Sequence, residues 1–74
     1  MGGEGFLITR IAYNGNNDPE YVGQAIPGST TGDAVWQVKR ITYDGNQNPT
    51  VIEFAGVAAS FNQVWDDRAS LTYG

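Results

Sequence analysis

Short runs of alternating apolar and polar residues, broken by turn-forming clusters, organise this chain. "LITRIAY" (7–13) and "VWQVKRITY" (35–43) are rich in β-branched and aromatic residues, the composition of strands. Each is followed by a polar stretch, "NGNNDP" or "DGNQNP", and then by a second short run, "EYVGQA" or "TVIEFA". Asn-Gly and Asp-Gly are strong hairpin signals, because glycine tolerates positive φ and Asn or Asp oxygens accept from nearby backbone amides. Pro19 and Pro49 cannot donate to a ladder, so they mark the loop's end or the first position of the return strand. The polar loop "IPGSTTGD" leaves no room for a helix. Ser60 to Asp67 allows one helical turn, with Ser60 as cap and Phe61, Val64 and Trp65 at helix-like spacing. The pattern predicts strands near 6–13, 20–26, 35–43, 51–56 and 68–73. The expected fold is all-β: a small antiparallel sheet, barrel or sandwich of about five strands, built from two tandem hairpins plus a C-terminal strand.

The two hairpins are one unit written twice. Displaced by 30 positions, Arg10, Ile11, Tyr13, Gly15, Asn16, Pro19 and Ala25 meet Arg40, Ile41, Tyr43, Gly45, Asn46, Pro49 and Ala55. A second displacement brings Ile41, Thr42 and Tyr43 onto Leu71, Thr72 and Tyr73. A single domain, 1–74, therefore carries an internal repeat (9–26 and 39–56) with a partial third unit, 69–74. Tyr13, Tyr43 and Tyr73 would sit at three equivalent strand ends, each ring covering the mouth of its own hairpin. Along 35–43 the apolar set changes sides, from Trp36 and Val38 to Ile41 and Tyr43. Such a switch predicts either a bulge near Lys39 and Arg40 or a strand that meets different layers at its two ends. Unless residues 68–73 fold back onto 6–13, an edge is left without a partner in the chain, and an open edge is a template for another chain.

Composition narrows the function. A chain of 74 residues is near the lower limit for folding alone, and it has neither cysteine nor histidine. Disulfides and Cys/His zinc sites are thereby excluded. Aromatic residues at 12% offer compact core material, since each ring buries roughly 150–250 Å². The net charge of −4 provides no cationic face, the basic residues clustering only at Lys39-Arg40, which argues against nucleic acid or an anionic membrane as partner. No apolar run approaches a spanning helix, and "MGGEG" lacks the features of a signal peptide. It starts Gly-Gly, but Phe6 stands where a myristoylation signal wants Ser or Thr. A soluble protein, used where it is made, is expected.

Candidate chemistry is sparse. Asp44, Asn46 and Asn48, like Asn14, Asn16 and Asp18, have the opening spacing of a calcium loop. Pro19 and Pro49 then stand where that loop needs glycine, and Ala25 and Ala55 where it needs a closing glutamate, so turn formation accounts for these residues better. Asp66-Asp67-Arg68 could suggest paired carboxylates, yet adjacent side chains rarely converge, and a turn cap with a surface ion pair is the simpler reading. Without His, Cys or a phosphate loop no nucleophile–base pair can be assembled, so no enzyme and no cofactor are expected. Trp36 and Trp65 hold equivalent positions and are expected in a core or an interface rather than on an exposed platform. Phe6, Ile8, Trp36, Val38, Ile41, Phe54 and Trp65 are the candidate core and interface residues.

"WQVKRITYDGNQNPTVIEFA" followed by "FNQVWDDRASLTY" resembles a group of very short, mostly uncharacterised virion-associated proteins of tailed bacteriophages. These share a Trp, a basic pair, a Thr-Tyr-Asp turn, a Pro and a closing Trp-Asp-Asp-Arg before a terminal Tyr. The resemblance spans residues 35–74, and 9–27 more loosely. It implies a structural component of the virion present in many copies: a capsid decoration, a head–tail connector or a tail piece. Its partners would be copies of itself or other virion proteins, with residence in the host cytoplasm before assembly. A fainter likeness links the turns to the Tyr-Asp repeat hairpins of bacterial toxin shells. Gly45 follows Asp44 directly here, which marks that likeness as convergence on one hairpin solution. The alternative function is a small β module that binds carbohydrate or a receptor through exposed aromatics and Asn-rich loops.

Overall fold

A computed structural model of the protein describes residues 6–56 and 58–74. Four antiparallel strands follow in chain order: β1 (Ile8–Tyr13), β2 (Pro19–Ala25), β3 (Ala34–Tyr43) and β4 (Pro49–Phe54). A fifth, two-residue strand, β5 (Gln63–Val64), pairs with the start of β3, and the sheet stays open. The duplication visible in the sequence is also a duplication of geometry. Ile11 faces Val22 in the first hairpin and Ile41 faces Ile52 in the second, each exactly one repeat apart in both partners. Both hairpins carry an irregularity at the same place, between Ala12 and Tyr13 and between Thr42 and Tyr43.

The turns use the predicted residues in a different way. The Asn17 amide donates to the Asn14 carbonyl and the Gln47 amide to the Asp44 carbonyl, closing a four-residue turn in each hairpin. The left-handed position falls on Asn17 (φ 63°) and Gln47 (φ 64°), not on Gly15 or Gly45. A tight turn followed by one left-handed residue carries the right-handed twist of its strands, so it displaces the two-residue turn that Asn-Gly suggests. The side-chain part of the expectation stands. Asn14 Oδ1 accepts from the Asn16 and Asp18 amides, and Asp44 Oδ1 from the Asn46 and Asn48 amides.

The C-terminal third departs from expectation. Residues 65–70 form a 3-10 turn, Trp65–Ser70, where a strand over 68–73 was predicted, and the fifth strand is β5 instead. The helical turn thus exists but starts five residues after Ser60, and Val64, at its cap, offers no side-chain hydrogen bond. Trp65 explains the change. Its ring packs on Trp36, with centroids 5.9 Å apart, and directly over Gly23, so the backbone must turn there to place it. Only Tyr73 regains β pairing, in a single bridge to Ala55.

Ala25, Trp36, Val38, Ala55 and Trp65 are buried and form the core, flanked by Ile8, Ala12, Tyr21, Val35, Leu71 and Tyr73. Two indole rings do the work that a longer chain spreads over many aliphatic side chains. At about 25 cal/mol per Å², each ring brings on the order of 4–6 kcal/mol of transfer free energy. Trp36 Nε1 satisfies its polar end by donating to the Thr30 carbonyl at 2.9 Å. The Tyr73 ring lies against Tyr21, with the Arg40 guanidinium 4.7 Å from its centroid, and its hydroxyl donates to the Arg68 carbonyl. Arg40 in turn bonds Glu53 at 2.8 Å across β3 and β4.

Candidate functional site

Cross-strand register sorts the side chains into two faces. Trp36, Val38 and Arg40 point to the same side as Gly23, Tyr21, Glu53 and Ala55, and the turn containing Trp65 covers that side. On the other side, Ile11, Val22, Lys39 and Phe54 fall in one row across all four long strands. Ile41 and Ile52 stand opposite each other one step further on. No element among the described residues covers these rows. Ile52 is 58% exposed and Ile11 46%. Lys39 lies 5.7 Å from the Phe54 ring, so its aliphatic stem roofs part of this surface.

The same side carries a second apolar cluster at the far end of the sheet. Leu7, Ile26 and Phe61, with Val35, which also touches the core from its irregular place between Ala34 and Trp36, line a shallow depression of about 350 Å³. Between the two clusters runs a polar row, Thr9, Gln24 and Gln37, with its amides already engaged. Gln24 donates to Thr9 Oγ1 and Gln37 to the Ala59 carbonyl. Phe6, beside the depression in sequence, is 74% exposed. Together these residues make a one-sided sheet with a packed face and an open face. The apolar switch along β3 follows from this. Register is continuous through Lys39 and Arg40, so no bulge lies there; Trp36 and Val38 serve the core, while Ile41 serves the open face.

Both outer edges also bear on function. Nothing among the described residues pairs with the outer side of β1. Along β4 the Ala55 amide bonds inward to the Val38 carbonyl. Outward, Gly74 donates to the Phe54 carbonyl and Gly56 to the Thr72 carbonyl. The C-terminal residues therefore seal the end of the β4 edge and leave Thr50 and Ile52 facing away from β3. Thr50, Val51 and Ile52 are all exposed, and none is charged. A short uncharged edge of this kind is the sort that other strands pair with.

The three tyrosines of the repeat do three different things rather than each covering its own hairpin. Tyr43 reaches the neighbouring hairpin and donates to the Pro19 carbonyl, and desolvation there raises the phenol above its usual pKa. Tyr13, its counterpart, is 59% exposed. Tyr73 is pushed up to about 12, chiefly by burial.

The polar candidates are occupied structurally. Asp44 is held below the usual carboxylate range by the Asn48 and Asn46 amides. Among the described residues, no three His, Cys, Asp or Glu side chains come close enough to hold a metal ion. Asp66 accepts from the Thr31 hydroxyl, and the Arg68 guanidinium lies 4.8 Å from the Trp65 ring centroid, making no ion pair with Asp66 or Asp67. The expected surface ion pair at Asp66-Asp67-Arg68 is thus replaced by stacking. Of the candidate core and interface residues, Trp36, Val38 and Trp65 are buried and Ile8 packs against them. Ile41 and Phe54 are half-buried on the open face, and Phe6 is exposed. Sequence reasoning passed over Ile11, Ile52, Leu7, Ile26 and Phe61, although period-two spacing with Ile41 could have found the first two. No helix among the described residues is long and apolar enough to cross a membrane. Comparison of the chain with protein-family models, curated proteins and solved structures finds no match in any of the three.

Proposed function

We propose that this protein is a non-catalytic structural component that works by association, with copies of itself or with a larger protein lattice. The setting we propose, a tailed-phage particle, rests on the resemblance carried by residues 35–74. One observation carries the association reading: among the described residues, the sheet buries one face and leaves the other largely apolar and uncovered, beside an unpaired β1 edge and a β4 edge sealed only at its end. A free-standing domain of this size gains by covering such surfaces, because its core holds five buried hydrophobic residues among those described. The carbohydrate-binding alternative loses its main support, since Trp36 and Trp65 are core residues and not platforms. The depression lined by Leu7, Ile26, Val35 and Phe61 is apolar and lacks the convergent polar groups a sugar needs.

Light scattering on the native protein across a micromolar to submillimolar series tests the association reading. Mass above the monomer that rises with concentration is expected; a monomer at every concentration would limit the reading to docking on a different protein. The particle setting is tested by peptide mass spectrometry of gradient-purified virions, in which the chain is expected at many copies per particle. Its absence from them would refute that setting.

A further inference from the structure

The repeat that builds the sheet also specifies how a second copy could extend it. Inside one chain, the second strand of unit one pairs with the first strand of unit two: Tyr21 faces Arg40, Val22 faces Lys39, Gly23 faces Val38 and Gln24 faces Gln37. The equivalent strand of unit two is β4, whose outer edge over Thr50 to Ile52, short of the C-terminal contacts at Phe54 and Gly56, pairs with nothing among the described residues. The counterpart of that first strand in unit one is β1, whose outer edge pairs with nothing among the described residues. We propose that β4 of one copy pairs antiparallel with β1 of the next in the register that already joins β2 to β3. This rests on the association reading above and names its interface.

Displacing the internal register by one repeat fixes the pairing. Val51 falls opposite Arg10 of the next copy, Ile52 opposite Thr9 and Glu53 opposite Ile8. Three observations support this arrangement. Thr50 and Ile52 point their backbone groups outward, because Ala55 bonds inward to Val38 while Phe54 and Gly56 bond outward to the C-terminal residues. The repeat makes Ile8 the counterpart of Val38, which leaves Thr9 and Ile11 outward on β1 and in phase with Ile52 and Thr50. Finally, Tyr43 locks the internal junction by donating to the Pro19 carbonyl. Its counterpart Tyr13 is exposed, and the counterpart of Pro19 is Pro49, at the head of the open β4 edge. In the proposed contact the Tyr13 hydroxyl donates to the Pro49 carbonyl of the neighbouring copy. The pairing stops short of Phe54, where Gly74 already occupies the carbonyl.

Such a contact joins two different surfaces, so it propagates head to tail into a ring or a filament instead of ending at a dimer. Two edge variants test it. Thr9→Pro removes the outward amide of β1, and Ile52→Pro removes the outward amide of β4, each at an edge position where proline is tolerated. Light scattering should find each variant monomeric alone, and an equimolar mixture should form a one-to-one heterodimer and nothing larger. Tryptophan fluorescence of buried Trp36 and Trp65 reports whether each variant is folded. Should either proline prevent folding, Tyr13→Phe carries the test, because it alters an exposed hydroxyl alone. It should raise the dissociation constant roughly 3- to 10-fold, the worth of one hydrogen bond, without changing stability. Either proline variant keeping the native mass, or an unchanged dissociation constant for Tyr13→Phe, would overturn this interface while self-association itself stood. A native protein that never exceeds monomer mass would overturn both.

Discussion

Gly23 lies mid-strand in β2, where a glycine is ordinarily a weakness. Replacing it by alanine should gain about 0.5–1 kcal/mol if only backbone entropy mattered. The packing predicts the opposite sign. A Cβ at Gly23 would lie 2.5 Å from Trp65 Cε3, 2.6 Å from Cζ3 and 3.2 Å from Trp36 Cε3, whereas ordinary contact begins at 3.4 Å. Trp65 must therefore retreat by about 0.9 Å (3.4 minus 2.5), yet Trp36 and Arg68 stand against it. Overpacking of this kind costs about 1–3 kcal/mol, and complete expulsion of the ring would cost roughly 5 kcal/mol at 25 cal/mol per Å². We expect Gly23→Ala to destabilise the domain by about 1–2 kcal/mol net, lowering Tm by roughly 4–8 °C per kcal/mol. Urea denaturation followed by tryptophan fluorescence, with thermal circular dichroism as a second probe, reads the change. In a Trp65→Leu background the penalty should shrink or reverse, since the obstructing ring is gone. A Gly23→Ala protein as stable as the parent, or more so, would refute the proposed packing of Trp65 on the strand.

Other expectations follow from the turns and the titrating groups. Gln47→Gly should stabilise the protein by about 1 kcal/mol in the same denaturation assay, because a left-handed φ costs side chains about that much. Gly45→Ala should gain about 0.4–1 kcal/mol, since its φ is not left-handed and its Cβ meets open space. Tyr73 is raised to about 12 when folded, so its contribution is complete below pH 10 and lost as pH climbs through 12. Alkaline unfolding followed at 295 nm should show this, and Tyr73→Phe should abolish that component. Asp44 is lowered by the amides it accepts, so the second hairpin should lose stability as pH falls through its folded value. Asp44→Asn, which copies Asn14 of the first hairpin, should remove that acid dependence while preserving the turn bonds.

The hairpins were legible because their information is local. β-branched runs, Asn-Gly or Asp-Gly and a following proline each act within a few residues, and the 30-residue repeat states them twice. The placement of the left-handed residue was less so, since Gly15 and Gly45 look suited to it and only the twist of the closed ladder assigns it to Asn17 and Gln47. The path after Ala55 depended on a long-range fact, that Gly23 offers a flat seat for Trp65. Nothing near Arg68 or Leu71 announces it, so the strand-like composition of 68–73 points to a strand that does not form. The open face was half visible. Ile41 and Phe54 were singled out, but only register reveals that they line up with Ile11, Val22 and Ile52 on the side away from the tryptophans.

Residue-resolved amide exchange in dilute and in concentrated solution addresses the central idea, that this sheet is completed by contacts at its edges. Ala55, bonded to Val38, should exchange slowly in both conditions. Thr9, Ile11, Thr50 and Ile52 should exchange rapidly when dilute and become protected together as concentration rises. Equal, rapid exchange of those four amides at every concentration, or protection already complete in a dilute monomer, would contradict it.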